Sequence, residues 1–281
     1  MMCIAADALL LFTACSTEGD TIVNNYGTSD GTAKAPARTM LKEYGLIDST
    51  QTIRFNYQNN EIGKIKDLIS FNAGSAASKY VILYNGANKP EAYQSYTLPA
   101  NTLNEQGTFK LDENGRIIEV VKRKVNGDTI GIGYFQYTDL DYQPASYSYY
   151  NQTDKRFSRY EYFLYDNRGN ITKTISYTDN GTDPLYKESE VEASSYGKAI
   201  NSLNQLYNYL VVNGGDYGFS LSGALYSSNY LPTSTRQQNY LPDGKSSSVN
   251  ISNLNITTDN NNNVLKLNTG GISGQSIFFR Y

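Results

Sequence analysis

Glu188, Glu190 and Glu192 are the residues whose type and spacing come nearest to a chemical device. Carboxylates at every second position lie on one side of an extended strand, where their oxygens could converge on a cation. The same spacing describes a solvated strand edge whose charge discourages pairing with another sheet, and we adopt that reading. The chain has 27 Asp and Glu residues, so a hydrolytic pair of carboxylates is open to it, but no separation between two of them can be read from order alone.

The missing residue types constrain more. The 281 residues include no histidine and no tryptophan, and the two cysteines, Cys3 and Cys15, both lie near the start. Without imidazole there is no Ser-His-Asp triad, no Cys-His pair and no histidine-built zinc site. Beyond residue 15 there is no thiol to attack a substrate, hold a metal or form a disulfide. We expect no catalytic residue, no metal and no cofactor. A net charge of -3 supplies no basic face, so nucleic acid is not an expected partner.

Tyrosine is the outlier, with 26 copies against 10 phenylalanines. A rigid ring with a polar tip can line a cleft for sugars or peptides, or it can pack the faces and rims of a sheet. Packing is the reading given to most of them.

"ALLLFTACSTEGD" (8–20) is a short apolar run, then small residues, a cysteine and a polar tail. It resembles a bacterial lipoprotein signal, with Leu11, Phe12, Thr13, Ala14 and Cys15 as the lipobox. The resemblance implies lipid attachment at Cys15, which would become the mature N-terminus. Phe12 stands where Leu is usual, and Asp7 with no Lys or Arg before it spoils the n-region, so the true start is expected upstream. The apolar run is far shorter than the ~20 residues that span a bilayer as a helix. Residues 1–14 are thus read as signal peptide, 15–45 as a flexible polar tether and 46–281 as one β domain.

The elements of that domain announce themselves by their turns. "NEIGKI" (60–65), "DENGRI" (112–117), "DNRGNI" (166–171) and "DNNNNV" (259–264) share one pattern. Asn60, Asp112, Asp166 and Asp259 come first, where an Asx side chain can bond the backbone two residues on. Gly63, Gly115, Gly169 and Asn262 come fourth, where the chain needs positive φ. A β-branched residue comes sixth and opens a strand. This predicts hairpins built on a type I turn followed by a left-handed residue. Around the third tip Ile171, Lys173, Ile175 and Tyr177 alternate with Thr172, Thr174 and Ser176, the period of a half-buried strand. Further turns at 125–128, 150–154 and 177–181 give the rhythm of an antiparallel meander. In "YGKAINSLNQLYNYL" (196–210), Ile200, Leu203, Leu206, Tyr207 and Leu210 follow helical spacing, which predicts a short helix.

The tips, "SYGKAINSL" (195–203) and "SSNYLPTS" (227–234) together resemble a family of Bacteroides-type lipoproteins catalogued as a domain of unknown function with a porin-like fold. The tips alone also resemble the tyrosine–aspartate repeats of secreted bacterial proteins. The resemblance covers about residues 50–281. It implies a long, strongly curved antiparallel sheet, barrel-like or closed, and brings no activity or catalytic residue with it.

The expectation is therefore an all-β, monomeric, non-catalytic envelope domain. It would be tied to the outer membrane by its lipid, facing the periplasm or the surface, with a glycan or a protein as ligand. Two alternatives stand beside it. One is an integral outer-membrane barrel, suggested by the alternation of Ile277, Phe279 and the terminal Tyr281. The other is a glycan hydrolase working through two carboxylates.

Overall fold

The structure, a computed structural model, describes residues 38–47, 51–137, 143–179, 181, 185–206, 228–270 and 276–281. All belong to one compact unit, Ala33–Tyr281. Its strands are β1 (Glu43–Leu46), β2 (Thr52–Tyr57), β3 (Ile65–Asn72), β4 (Ser75–Tyr84), β5 (Pro90–Thr97), β6 (Thr102–Leu111), β7 (Ile117–Lys124) and β8 (Thr129–Tyr137). They continue with β9 (Pro144–Asn151), β10 (Arg156–Tyr165), β11 (Ile171–Thr178), β12 (Tyr186–Ile200), β13 (Tyr230–Tyr240), β14 (Ser246–Thr258), β15 (Val264–Gly270) and β16 (Ser276–Arg280). Each strand pairs antiparallel with its sequence neighbour, and β1 returns to β16 with Tyr44 opposite Phe279 and Leu46 opposite Ile277. The fold is a closed sixteen-strand barrel. Closure gives each of these strands two neighbours, so none is an edge along its whole length.

In such a meander alternate hairpins share an end. The connections β2–β3, β4–β5, β6–β7, β8–β9, β10–β11, β12–β13 and β14–β15 gather at one rim with the start of β1 and the end of β16. We call this the tip end and the opposite rim the mouth.

The tips fold as their chemistry dictates. At the second, the Asp112 N–H donates to Arg116 O (2.9 Å), the Gly115 N–H to Asp112 O (3.0 Å), and the Arg116 N–H to the Asp112 carboxylate (2.8 Å). Gly115 sits at φ +79 and Asn262 at φ +63, at bends between neighbouring strands. Asp166 and Asp259 repeat these bonds with Asn170 and Asn263. The residue gained in each turn is absorbed as a bulge, between Lys110 and Leu111, Leu164 and Tyr165, and Thr257 and Thr258.

Several expectations need correcting. The first tip opens at Gln58, whose N–H donates to Lys64 O (2.8 Å); Asn60 takes φ +57 inside a 3-10 turn, Gln58–Asn60, and so does not open the turn as an Asx residue. Asn85–Lys89 forms an Asx tip of the same kind, with Asn88 at φ +56, although "NGANKP" has Pro90 in place of the branched sixth residue. The predicted helix is only a 3-10 turn, Ser202–Leu206; 196–200 belong to β12, and 207–210 lie outside the described residues. The end of the expected tether belongs to the barrel instead, because Leu41 is fully buried and β1 begins at Glu43; residues 15–37 lie outside the described residues. Finally, the bulge at Thr172 inverts parity. Ile171 points inward opposite Tyr165, whereas Lys173, Ile175 and Tyr177 point outward.

Burial decides what a tip side chain is worth. Asp166 accepts from the N–H and the Nδ2 of Asn170, which is fully buried, while Asn85 makes its Asx bonds in water. Asp166→Ala is expected to cost about 1–3 kcal/mol and Asn85→Ala less than about 1 kcal/mol, by chemical denaturation. Equal losses would contradict this assignment.

Candidate functional site

The inward face changes character along the barrel. At the tip end it is apolar and dry. Ile65, Ile117, Ile171 and Val264, the sixth residues of the four tips, are no more than 1% exposed, as are Leu41, Leu203 and Leu231. Phe55, Leu68, Ile82, Val120, Phe135, Phe163, Leu254 and Leu267 continue this core inside the wall.

Tyrosines lock it. A strand start leaves a carbonyl with no ladder partner, and a phenol on the adjacent strand end supplies one. Tyr57 donates to Leu41 O (2.6 Å), Tyr84 to Ile65 O (2.9 Å), Tyr137 to Ile117 O (2.7 Å), Tyr165 to Pro144 O (2.9 Å) and Tyr281 to Val264 O (3.0 Å). Tyr196 does the same for Ile171 O. Each ring fills space that its hydroxyl fixes.

The segments that carried the family resemblance interlock at this end. Ser228 Oγ accepts from the Ile171 N–H (2.9 Å), Asn170 Oδ1 from the Tyr230 N–H (3.0 Å), and Asn229 Nδ2 donates to Arg168 O (2.8 Å). Asn201 Nδ2 donates to Ser228 O (2.8 Å), and Arg38 reaches Asn229 Oδ1 (3.0 Å). Gly169 has φ +74, and a Cβ there would stand 2.5 Å from Asn229 Nδ2. Buried and bonded, these residues are structural.

Toward the mouth the lumen turns polar. On β5–β10 the inward residues include Tyr93, Glu105, Lys122, Tyr149, Arg159 and Glu161. Glycines make room for the rings: a Cβ on Gly107 would run into Tyr93, and one on Gly131 into Tyr149. Tyr93 donates to Glu105 Oε1 (2.5 Å), and both burial and that carboxylate push its phenol well above the usual value. Lys122 Nζ lies 5.9 Å from the Tyr149 ring centroid. Arg159 holds Glu161 Oε1 with two bonds, 2.6 and 3.2 Å. Across the lumen Gln237 Nε2 donates to Asn239 Oδ1 (2.9 Å), and Asn239 Nδ2 to Ser248 Oγ (2.9 Å). None of these residues stood out in the sequence, because their facing depends on the register of distant strands.

Sequence comparison is silent: no family matches the chain, and none of the curated proteins is recognisably similar to it. Structure speaks. The barrel is similar to a porin-like protein from Bacteroides uniformis ATCC 8492, with TM-score 0.56 and 13% identity over 88% of this chain and 99% of that one. A porin-like protein from Bacteroides vulgatus ATCC 8482 gives 0.52 and 14%, over 87% and 99%. The fold is porin-like. At these identities the likeness extends to the fold alone.

The outward face carries charge on many strands. It does so in cross-strand rows, Arg280–Glu43–Arg54 and Lys173–Glu192–Arg236, with Lys110, Arg123 and Lys187 also pointing out. The three glutamates do not converge on a cation. Glu190 meets Lys187 (2.9 Å) and Lys173 (3.3 Å), Glu192 meets Lys173 and Arg236 (both 3.7 Å), and Glu188 falls at the bulge. Among the described residues no cluster of carboxylates is placed to hold a metal. Rings also gather outside β8–β11, with Phe157 5.4 Å from Tyr150 and 5.2 Å from Tyr160. Cys15 lies outside the described residues.

Burial holds the Glu161 carboxyl above its ordinary 4.5, against the pull of Arg159. The folded chain therefore binds this proton more tightly than the unfolded one. Its contribution to stability is full below that ordinary value and is lost as pH rises through the raised one. Glu161→Gln should gain melting temperature relative to the parent as pH rises above that ordinary 4.5. A pH-independent difference would contradict the raised value.

Proposed function

We propose that this chain is a lipid-anchored domain of the bacterial cell envelope, held at the outer membrane through Cys15. Its barrel stands in water as a monomer and binds or presents a ligand without catalysis. The observation that carries the reading is the outward face. A membrane barrel needs a continuous apolar band outside, and Lys or Arg at the midplane costs about 2–4 kcal/mol each. Here Arg54 and Arg236 point out from the middle of β2 and β13, while the best apolar surface points in. The anchor is supported by the lipobox that ends in Cys15.

A second reading keeps a specific observation in its favour. The barrel is closed, and the rings outside β8–β11 would suit a bilayer interface, as an integral outer-membrane protein requires. A hydrolase finds less support. Glu105 and Glu161 both face the lumen but stand on β6 and β10, about 19 Å apart along the wall at roughly 4.8 Å per strand. Glycosidase carboxyls stand roughly 5–10 Å apart.

Palmitate labelling tests the anchor. Incorporation is expected in the parent and absent in Cys15→Ala, and equal incorporation would refute it. Carbonate or urea should release Cys15→Ala from membranes; retention in the pellet would favour the spanning barrel.

A further inference from the structure

β14 meets its two neighbours over different halves. It pairs with β13 from Ser246 to Asn253 and with β15 from Asn253 to Thr258, so only Asn253 is paired on both sides. Each half is thus left with one open side. Near the tip end the end of β12 comes in: the Ile200 N–H donates to Asn262 O (2.9 Å), Ile200 bridges Asn263, and Leu203 of the following 3-10 turn is fully buried. The half near the mouth has no such cover. Ser246–Ile251 are all exposed, and among the described residues no strand pairs with Ser246–Ser252 on the side away from β13.

An unpaired strand presents N–H and C=O groups at a fixed repeat, and a second extended backbone is what satisfies them in turn. Folded proteins blunt such edges with charge, proline or irregular backbone. β12 does so where it outruns β11, past the pair Lys173–Glu192: Ser195 takes φ +59, and Gly197 and Lys198 follow. β14 does not. From Ser248 to Ser252 its pairing with β13 is regular, and "SVNIS" holds no charge, proline or glycine.

We propose that this edge docks a partner protein, which adds an uncharged, extended segment to the barrel as a strand beside β14. The side chains define that segment. Val249 and Ile251 share one face and are 47% and 65% exposed, Ile251 more than any other large apolar side chain described. Ser248, Asn250 and Ser252 take the other face. β-Branched or aromatic residues at alternate positions of the incoming strand would cover Val249 and Ile251. The edge offers no counter-charge, so a charged segment gains nothing there. Backbone bonds supply affinity and the alternate side chains supply selectivity, as in other cases of strand addition. A second copy of this chain fits less well. In an antiparallel pair centred on Asn250, Asn253 of one copy lies beside Ser247 of the other, and β15 of the first would need the space that Ser246 and Ser247 of the second occupy.

This inference names the kind of ligand for the binding role proposed above and does not depend on the lipid, so it and palmitate labelling can fail separately. The probes are two capped heptapeptides, TVTVTVT and TYTYTYT, each with a Gly-Gly-Lys-Lys tail for solubility. At least one should bind the full chain one to one in calorimetry and slow amide exchange within Ser246–Ser252. Ile251→Lys, which adds the charge that protected edges carry, should weaken binding about tenfold or more. Val125→Lys, at an exposed apolar residue in the β7–β8 turn, should change it less than about twofold. The same peptide N-methylated at its amides should not bind, because the ladder needs its N–H groups. Four results would each overturn the proposal: binding by neither peptide, equal losses in the two Lys variants, full binding of the methylated peptide, or protection of Ser246–Ser252 that appears without peptide and grows with protein concentration. The last would give the edge to a second copy.

Discussion

A barrel of sixteen strands is wider than ordinary side chains can bridge, and left alone it holds a column of water. Each strand start at the tip end also leaves a backbone carbonyl without a ladder partner. Tyrosine meets both demands in one residue. Its ring occupies the lumen, and its hydroxyl reaches the carbonyl on the adjoining strand, as with Tyr84 on Ile65 and Tyr137 on Ile117. The apolar core inside the wall, the buried asparagines and the division of the lumen into two halves all depend on this arrangement.

Because the seal lies at one end, the two ends are free to differ. The tip end collects a buried polar knot, where Asn170, Asn201, Ser228 and Asn229 find partners in one another or in nearby backbone. Such a knot is stable only when its members are satisfied, which ties three distant segments into one conformation. The mouth keeps its polar groups in contact with water. Outside, alternating charges pair across strands, as Glu43 does with Arg54 and Arg280. Such exposed pairs add little stability but keep the wall wettable.

The parts of this architecture that are local in sequence could be read from it. An Asp followed three residues later by Gly dictates a bend from its own backbone, so the tips at 112–117 and 166–171 were legible. The Asn85 tip was hidden because Pro90 stands where the pattern has a branched residue. The helical spacing of Ile200 and Leu203 misled, since both are buried by the seal and by no helical face. Bulges hid the rest: one extra residue reverses which way every later side chain points, as at Ile171 and Glu188. The lumen could not be assembled from order, because Glu105, Arg159 and Gln237 share it only through the register of eight successive strands.

Solvent relaxation of methyl groups reaches the central claim most directly. With a small soluble paramagnet added to the labelled protein, the methyls of Ile65, Ile117, Ile171 and Val264 should keep their linewidths, while those of exposed Val249 and Ile251 broaden. Broadening of the four tip-end methyls to the same degree as Val249 would mean that water runs the length of the lumen, and the account of a tyrosine-locked seal would fail.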